Sequence, residues 1–118
     1  MLFVYYFMNC IFCKVITRET PTKWIIEENN DLIVIEDINP SEPTDWLIIS
    51  KKHIVSVNEI EYNDKELIWK MFLKAKELAK KYNIDSVGYK LLINVGRGAG
   101  QIIDHLHIHI LSKLKVKS

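Results

Sequence analysis

Residues 104–111, "DHLHIHIL", set His105, His107 and His109 at every second position, with Leu106, Ile108 and Ile110 as their apolar alternates. A β-strand sends successive side chains to opposite faces and rises about 6.7 Å per pair of residues. As a strand, this stretch puts a row of imidazoles on one face and an apolar row into a core on the other. A solvated face tolerates any polar residue, so placing three of the chain's four histidines here needs a chemical cause. Near neutral pH, imidazole is a nucleophile, a proton donor and a metal ligand. Adjacent rings cannot all be charged cheaply, which separates them into base-like and acid-like members. Catalysis at a phosphoryl centre accounts for the row better than metal binding alone or packing alone.

Directly upstream, Asn94–Gln101 reads "NVGRGAGQ". Its glycines allow positive φ and let backbone N–H groups approach an anion. It is not a Walker loop, because no Gly-Lys-Ser/Thr follows and it joins two strands. Ending four residues before the histidine row, it becomes a candidate phosphate cradle.

Further out, apolar residues recur at helical spacing from Asp64 to Tyr82: Leu67, Ile68, Met71, Phe72, Ala75, Leu78, Ala79 and Tyr82. Asn63 with Glu66 offers a capping box, and Lys80 and Lys81 suit the helix C-terminus. Strands are expected at Trp24–Glu27, Leu32–Asp37, Trp46–Ser50, Tyr89–Val95 and His105–Leu111. A short helix is expected over Ile11–Thr17, and the alternating tail "SKLKVKS" reads as a charged edge strand. One long helix among pooled strands gives an α+β class with a five-stranded antiparallel sheet.

The chain has 118 residues, 48% hydrophobic and 26% charged, with a formal net charge of +1. That composition fits one domain over residues 1–118, with residues 1–7 an N-terminal extension ahead of a second methionine, Met8. No basic field is present to hold a nucleic-acid polymer, whereas a small nucleotide needs only a few placed groups. No apolar run is long enough for a membrane span, and the first residues lack the basic flank and cleavage site of a signal peptide. The two cysteines form one C-x-x-C, Cys10 and Cys13, which suits a reducing, cytoplasmic setting. His53, in "SKKHI", reads as a surface or core-edge residue.

"HLHIHIL" after "GAGQ" resembles the signature of the histidine-triad (HIT) superfamily. "CIFCKVI", "VIEDINPSEPTDWLIISKKHI" and "YKLLINVGRGAGQ" are similar to its Hint branch in the same order, so the resemblance spans about Met8 to Ser112. It implies the HIT fold, a homodimer with joined sheets, and hydrolysis of AMP- or GMP-type conjugates such as phosphoramidates or aminoacyl adenylates. His107 would attack the α-phosphorus, His109 would bond the phosphate or leaving group, and His105 would support them. Asp37 corresponds to the carboxylate on the ribose hydroxyls. Ile11, Phe12, Ile35 and Leu47 correspond to the base slot, with core packing as their alternative role. Asn94, Gly100 and Gln101 correspond to groups near the phosphate.

No cofactor is implied for catalysis. Bacterial relatives imply a structural zinc, whose matching set here is Cys10, Cys13, Asp45 and His105; free thiols or a redox dithiol are the alternatives. Two departures stand out: Ile102 replaces a Ser or Thr, and Asp45 replaces a fourth histidine. The other readings are a dinucleoside polyphosphate hydrolase, as in the Fhit branch, and a nucleotide-sensing module with little catalysis.

Overall fold

A computed structural model describes residues 9–116; the N-terminal extension expected at residues 1–7 lies outside them. The elements run α1 (Ile11–Ile16), β1 (Ile25–Glu28), β2 (Leu32–Glu36), β3 (Thr44–Ser50), α2 (Lys65–Lys81), β4 (Lys90–Leu92) and β5 (His107–Ser112). They form the expected α+β fold, in which every strand pair is antiparallel and the sheet order is β1-β2-β3-β5-β4. β2 reads as near-continuous Ile, Leu and Val, and the middle of β3 as Trp-Leu-Ile-Ile, because both faces of the sheet centre are covered; all seven β3 residues are buried.

One face packs on α2. Leu32, Val34, Trp46, Ile48, Leu106, Ile108 and Ile110 meet Met71, Ala75, Leu78 and Ala79 there. The two alanines let the helix backbone sit close to the sheet. Burying each larger aliphatic side chain contributes about 1.5–3 kcal/mol. The opposite face carries a smaller cluster of Cys10, Phe12, Val15, Ile33, Ile35, Leu47 and Ile49 beneath α1. The β5 alternation divides accordingly: apolar residues face α2, and histidines face α1.

Register fixes which side chains meet on the α1 face. His107 lies opposite Ile49, His109 opposite Leu47, and Asp45 opposite Leu111. Leu47 pairs in turn with Ile35 on β2, and the Asp37 amide donates to the Asp45 carbonyl at 2.9 Å. Asp37 and Asp45 therefore extend the row that flanks His109.

Several boundaries differ from the sequence reading. α2 begins one residue later, and the Asn63–Glu66 box does not form. A 3-10 turn over Tyr62–Asp64 precedes the helix, with reciprocal bonds between Glu61 and Asp64. Asp64 is buried, accepts the Glu61 amide at 2.9 Å and pairs with Lys52, so a better-satisfied carboxylate takes the capping position. β4 spans three residues rather than seven, since the glycine loop bends away from the sheet. His105 stands just before the β5 ladder. Among the described residues the tail forms no edge strand: β5 lies between β3 and β4, which leaves β1 and β4 as edges. The tail instead crosses the start of β3, where Thr44 Oγ1 donates to the Leu114 carbonyl at 2.6 Å and accepts the Val116 amide at 2.9 Å.

Candidate active site and metal cluster

The three histidines share one residue type and have three different environments. His107 is held by its own strand: Nδ1 donates to the His105 carbonyl at 2.7 Å, which leaves the lone pair on Nε2. Burial pushes its protonation below the ordinary 6.5, against the opposing pull of that carbonyl and of Asp37 and Asp45, so the ring is neutral at pH 7. The Phe12 ring packs edge-on at 5.1 Å between centroids and fixes the imidazole plane. His109 donates instead from Nδ1 to Asp45 Oδ1 at 3.1 Å, with Asp37 Oδ2 at 3.9 Å. A neutral imidazole with a free nitrogen beside a ring held by carboxylates can provide nucleophilic attack and proton transfer.

His105 is fully buried. Its Nε2 donates to the Ser50 carbonyl at 2.6 Å, so Nδ1 keeps the lone pair and points at sulfur. Cys10 Sγ lies 3.3 Å from that nitrogen, Cys13 Sγ 3.6 Å and His53 Nδ1 3.1 Å; His53 Nδ1 is also 3.2 Å from Cys13 Sγ. Burial, then the charges of His53 and His107, take His105 down to about 4 despite the Ser50 bond. Burial and the neighbouring Cys10 push the Cys13 thiol up to about 12.

The geometry fits a metal ion. Tetrahedral zinc at ordinary bond lengths separates two nitrogens by about 3.3 Å and a nitrogen from a sulfur by about 3.6 Å. All four donor atoms lie within 4.8 Å of one another, and the carbonyl on His105 Nε2 is the usual outer partner of a ligating imidazole.

The structure corrects the expected ligand set here. The residues brought together are Cys10, Cys13, His53 and His105; Asp45 belongs to a separate group with Asp37 and His109. Asp45 lies opposite Leu111, six residues along the chain from His105, or about 20 Å of extended strand. It can neither join this cluster nor hydrogen-bond His105. His53 reaches it because the chain folds back after β3, with the Leu106 amide donating to the Ile54 carbonyl at 2.7 Å. The sequence signal for His53 is its place just past a strand that neighbours the triad strand, a position that by itself suggests only surface or core-edge packing.

The remaining expected residues divide. Asp37 reaches the histidine face, its Oδ1 accepting the Asn39 amide at 2.9 Å. Phe12, Ile35 and Leu47 are buried in the cluster under α1, whereas Ile11 is exposed. Ile11 instead lines a cavity of about 260 Å3 with Cys10, His53, Arg97, Ile102 and Asp104. In the glycine loop, Asn94 Nδ2 donates to the Ala99 carbonyl at 2.8 Å, and Gly100 takes φ 91°. Gln101 is buried, accepts the Gly96 amide at 2.9 Å and donates to the Val55 and Ile103 carbonyls at 2.7 and 3.0 Å. Its amide is thus spent on shaping the loop.

A family model described as "Scavenger mRNA decapping enzyme C-term binding" matches residues 9–118. Protein HitA of Neisseria gonorrhoeae is 41% identical over 103 residues, 87% of this chain and 94% of that protein. A solved HIT family hydrolase from Legionella pneumophila Philadelphia 1 superposes with a TM-score of 0.86 at 38% identity, covering 90% of this chain and 94% of its own. The chain belongs to the histidine-triad (HIT) superfamily. A zinc-bound HIT family protein from Mycobacterium smegmatis shares the fold at a TM-score of 0.78 and 25% identity, over 92% of this chain and 77% of its own. Within the HIT fold, this chain's Cys10, Cys13, His53 and His105 could hold a metal, and His105 is the one histidine of the row that joins them.

Proposed function

We propose that this chain is a nucleotide hydrolase that cleaves the α-phosphate bond of purine nucleotide conjugates, phosphoramidates first among them, through a covalent intermediate on His107. The observation that carries the reading is the 2.7 Å bond from His107 Nδ1 to the His105 carbonyl, which aims an unprotonated Nε2 away from the backbone. Attack by Nε2 on phosphorus forms a P–N bond as the bond to the leaving group breaks. Water then displaces His107 and releases the nucleoside monophosphate. His109 is the proton carrier, and Asp37 is the acceptor for ribose hydroxyls. Within the glycine loop the Gly96, Ala99, Gly100 and Gln101 amides bond to the loop itself, which leaves the Arg97 and Gly98 amides to meet charge on the phosphate oxygens, and no metal takes part in either step.

Zinc at Cys10, Cys13, His53 and His105 would draw thiolates from the two cysteines and tie α1 to the end of β3. The residues themselves hold His105 still, and with it the carbonyl that sets the His107 tautomer. The β4 edge carries exposed Leu91 and Leu92, which supports a homodimer formed by pairing that edge with a second copy. A reducing, cytoplasmic setting belongs to the same reading, because a disulfide between Cys10 and Cys13 would remove two of the four donors of that cluster.

The test is His107→Ala against adenosine 5′-phosphoramidate. Turnover should fall by at least about 10³-fold, with wild type, but not the variant, acquiring label from α-phosphate-labelled substrate after an alkaline denaturing quench, which preserves the P–N bond. Retained turnover would refute the nucleophile.

A further inference from the structure

We propose that Asp45 is the positioning residue for His109: its carboxylate holds Nδ1–H so that Nε2 delivers a proton to the leaving group. The proposal rests on the hydrolase reading above and deepens it.

Asp45 is buried at 4% exposure, and among the described residues its ion-pair partner is His109, not a lysine or arginine. A carboxylate so removed from water needs hydrogen bonds and a compensating charge. Oδ2 accepts the Ser41 amide at 3.1 Å and the Ser41 hydroxyl at 3.2 Å. Oδ1 faces His109 Nδ1 at 3.1 Å. The carboxylate is therefore clamped on one oxygen by the turn before β3, and its other oxygen is aimed at the ring. His107 packs on that ring at 5.2 Å between centroids. Asp37 stands farther off at 3.9 Å, its other oxygen held by the Asn39 amide. With Nδ1 committed, Nε2 is the nitrogen left for substrate. Ile102 offers the leaving group no donor, being apolar and 82% exposed.

The step balances. As His107 Nε2 bonds to phosphorus, the P–N electron pair of the phosphoramidate returns to the leaving nitrogen, which takes the Nε2 proton of His109. Water then attacks phosphorus, the bond to His107 breaks with its pair returning to Nε2, and the water proton passes to His109. The Asp45 carboxylate offsets the positive charge that the ring carries with both protons on.

The discriminating experiment compares Asp45→Asn with wild type on two AMP derivatives, an alkyl phosphoramidate whose amine must be protonated and a p-nitrophenyl ester whose phenolate leaves unaided. The expected kcat loss is about 10²-fold on the phosphoramidate and under about 3-fold on the ester. Equal losses on both, or no loss on the phosphoramidate, would overturn the assignment. Ser41→Ala, which removes one clamp bond, should show the same leaving-group bias at about 3- to 10-fold, and this arm decides should Asp45→Asn fail to fold. Bound metal should be equal in wild type and Asp45→Asn. One equivalent lost in the variant would make Asp37, Asp45 and His109 a cation site instead and overturn the proposal.

Nitrogen-15 NMR of the imidazoles separates this idea from the hydrolase reading. In wild type, His109 should carry a proton on Nδ1 whether or not Nε2 is also protonated, and Asp45→Asn should weaken that preference; a bare Nδ1 in wild type refutes the contact. Should wild type hydrolyse neither derivative while the NMR result holds, the hydrolase reading fails and the Asp45–His109 contact stands without a reaction to serve.

Discussion

His53→Ala tests the ligand set directly, because the geometry and the family resemblance assign the fourth position to different residues. His53 makes two close approaches within the cluster, 3.1 Å to His105 Nδ1 and 3.2 Å to Cys13 Sγ. A complete zinc site binds with an apparent 10–16 kcal/mol at pH 7. A quarter share of that, for one ligand of four, is about 2.5–4 kcal/mol, or roughly 10²- to 10³-fold in Kd. At fixed free zinc, a loss near 3 kcal/mol should lower Tm by about 10 °C in a chain of this size. Chelator competition measures the affinity, and thermal unfolding with and without excess zinc measures the linkage. Asp45→Ala is the control and should leave zinc affinity within about 3-fold. If Asp45→Ala weakens zinc while His53→Ala does not, the assignment of His53 is wrong. If the wild-type protein shows no zinc-dependent rise in Tm, the donors form a thiol–imidazole network and not a metal site.

Two further outcomes are expected. Leu91→Lys places a charge on the exposed β4 edge and should convert a homodimer to monomer, read by sedimentation velocity; a dimer that persists would place the interface elsewhere. Burial opposes charge on Glu27, but the hydrogen bonds and charges of Lys74 and Lys81 outweigh it and hold the carboxyl below its ordinary 4.5. Its contribution, about 1 kcal/mol, is present above pH 4.5 and lost as pH falls through the folded value. Glu27→Gln should therefore lower the urea midpoint at pH 7 and lower it progressively less as the pH falls below 4.5; an effect that does not change with pH would refute the ion pair.

The architecture was legible because its signals are local. Alternation in "HLHIHIL" separated the two sheet faces residue by residue, and 3.6-residue spacing located α2 to within one residue at each end. What escaped depended on partners distant in sequence. Asp64 displaces Asn63 at the start of α2 because Lys52, from another segment, holds its carboxylate. The tail resembles an edge strand by pattern, but sheet order places β5 between β3 and β4. His53 looked incidental because its partners lie 40 and 52 residues away, and no local period can mark such a pair. Asp45 was noticed as a departure from the family, yet its partner was misassigned, because only the β3–β5 register shows which histidine lies within reach.

That register also explains why three histidines are spent on one strand. Each occupies its own stretch of one sheet face, and no two combine the same nitrogen with the same kind of acceptor. At the β3 end, a backbone carbonyl takes His105 Nε2–H and turns Nδ1 toward the cysteines. In the middle, the His105 carbonyl takes His107 Nδ1–H and frees Nε2. At the far end, a carboxylate takes His109 Nδ1–H. The first two are linked covalently: the carbonyl orienting His107 belongs to the residue that the cysteine cluster immobilises. Loosening that cluster should thus be felt first as a loss of tautomer definition at His107, before the core under α2 is affected. In Cys10→Ser/Cys13→Ser, the His107 imidazole nitrogens should shift in NMR while the methyl groups of Ile108 and Ile110 do not. Core methyl shifts without a change at His107 would show that the cluster supports the fold and leaves the nucleophile alone.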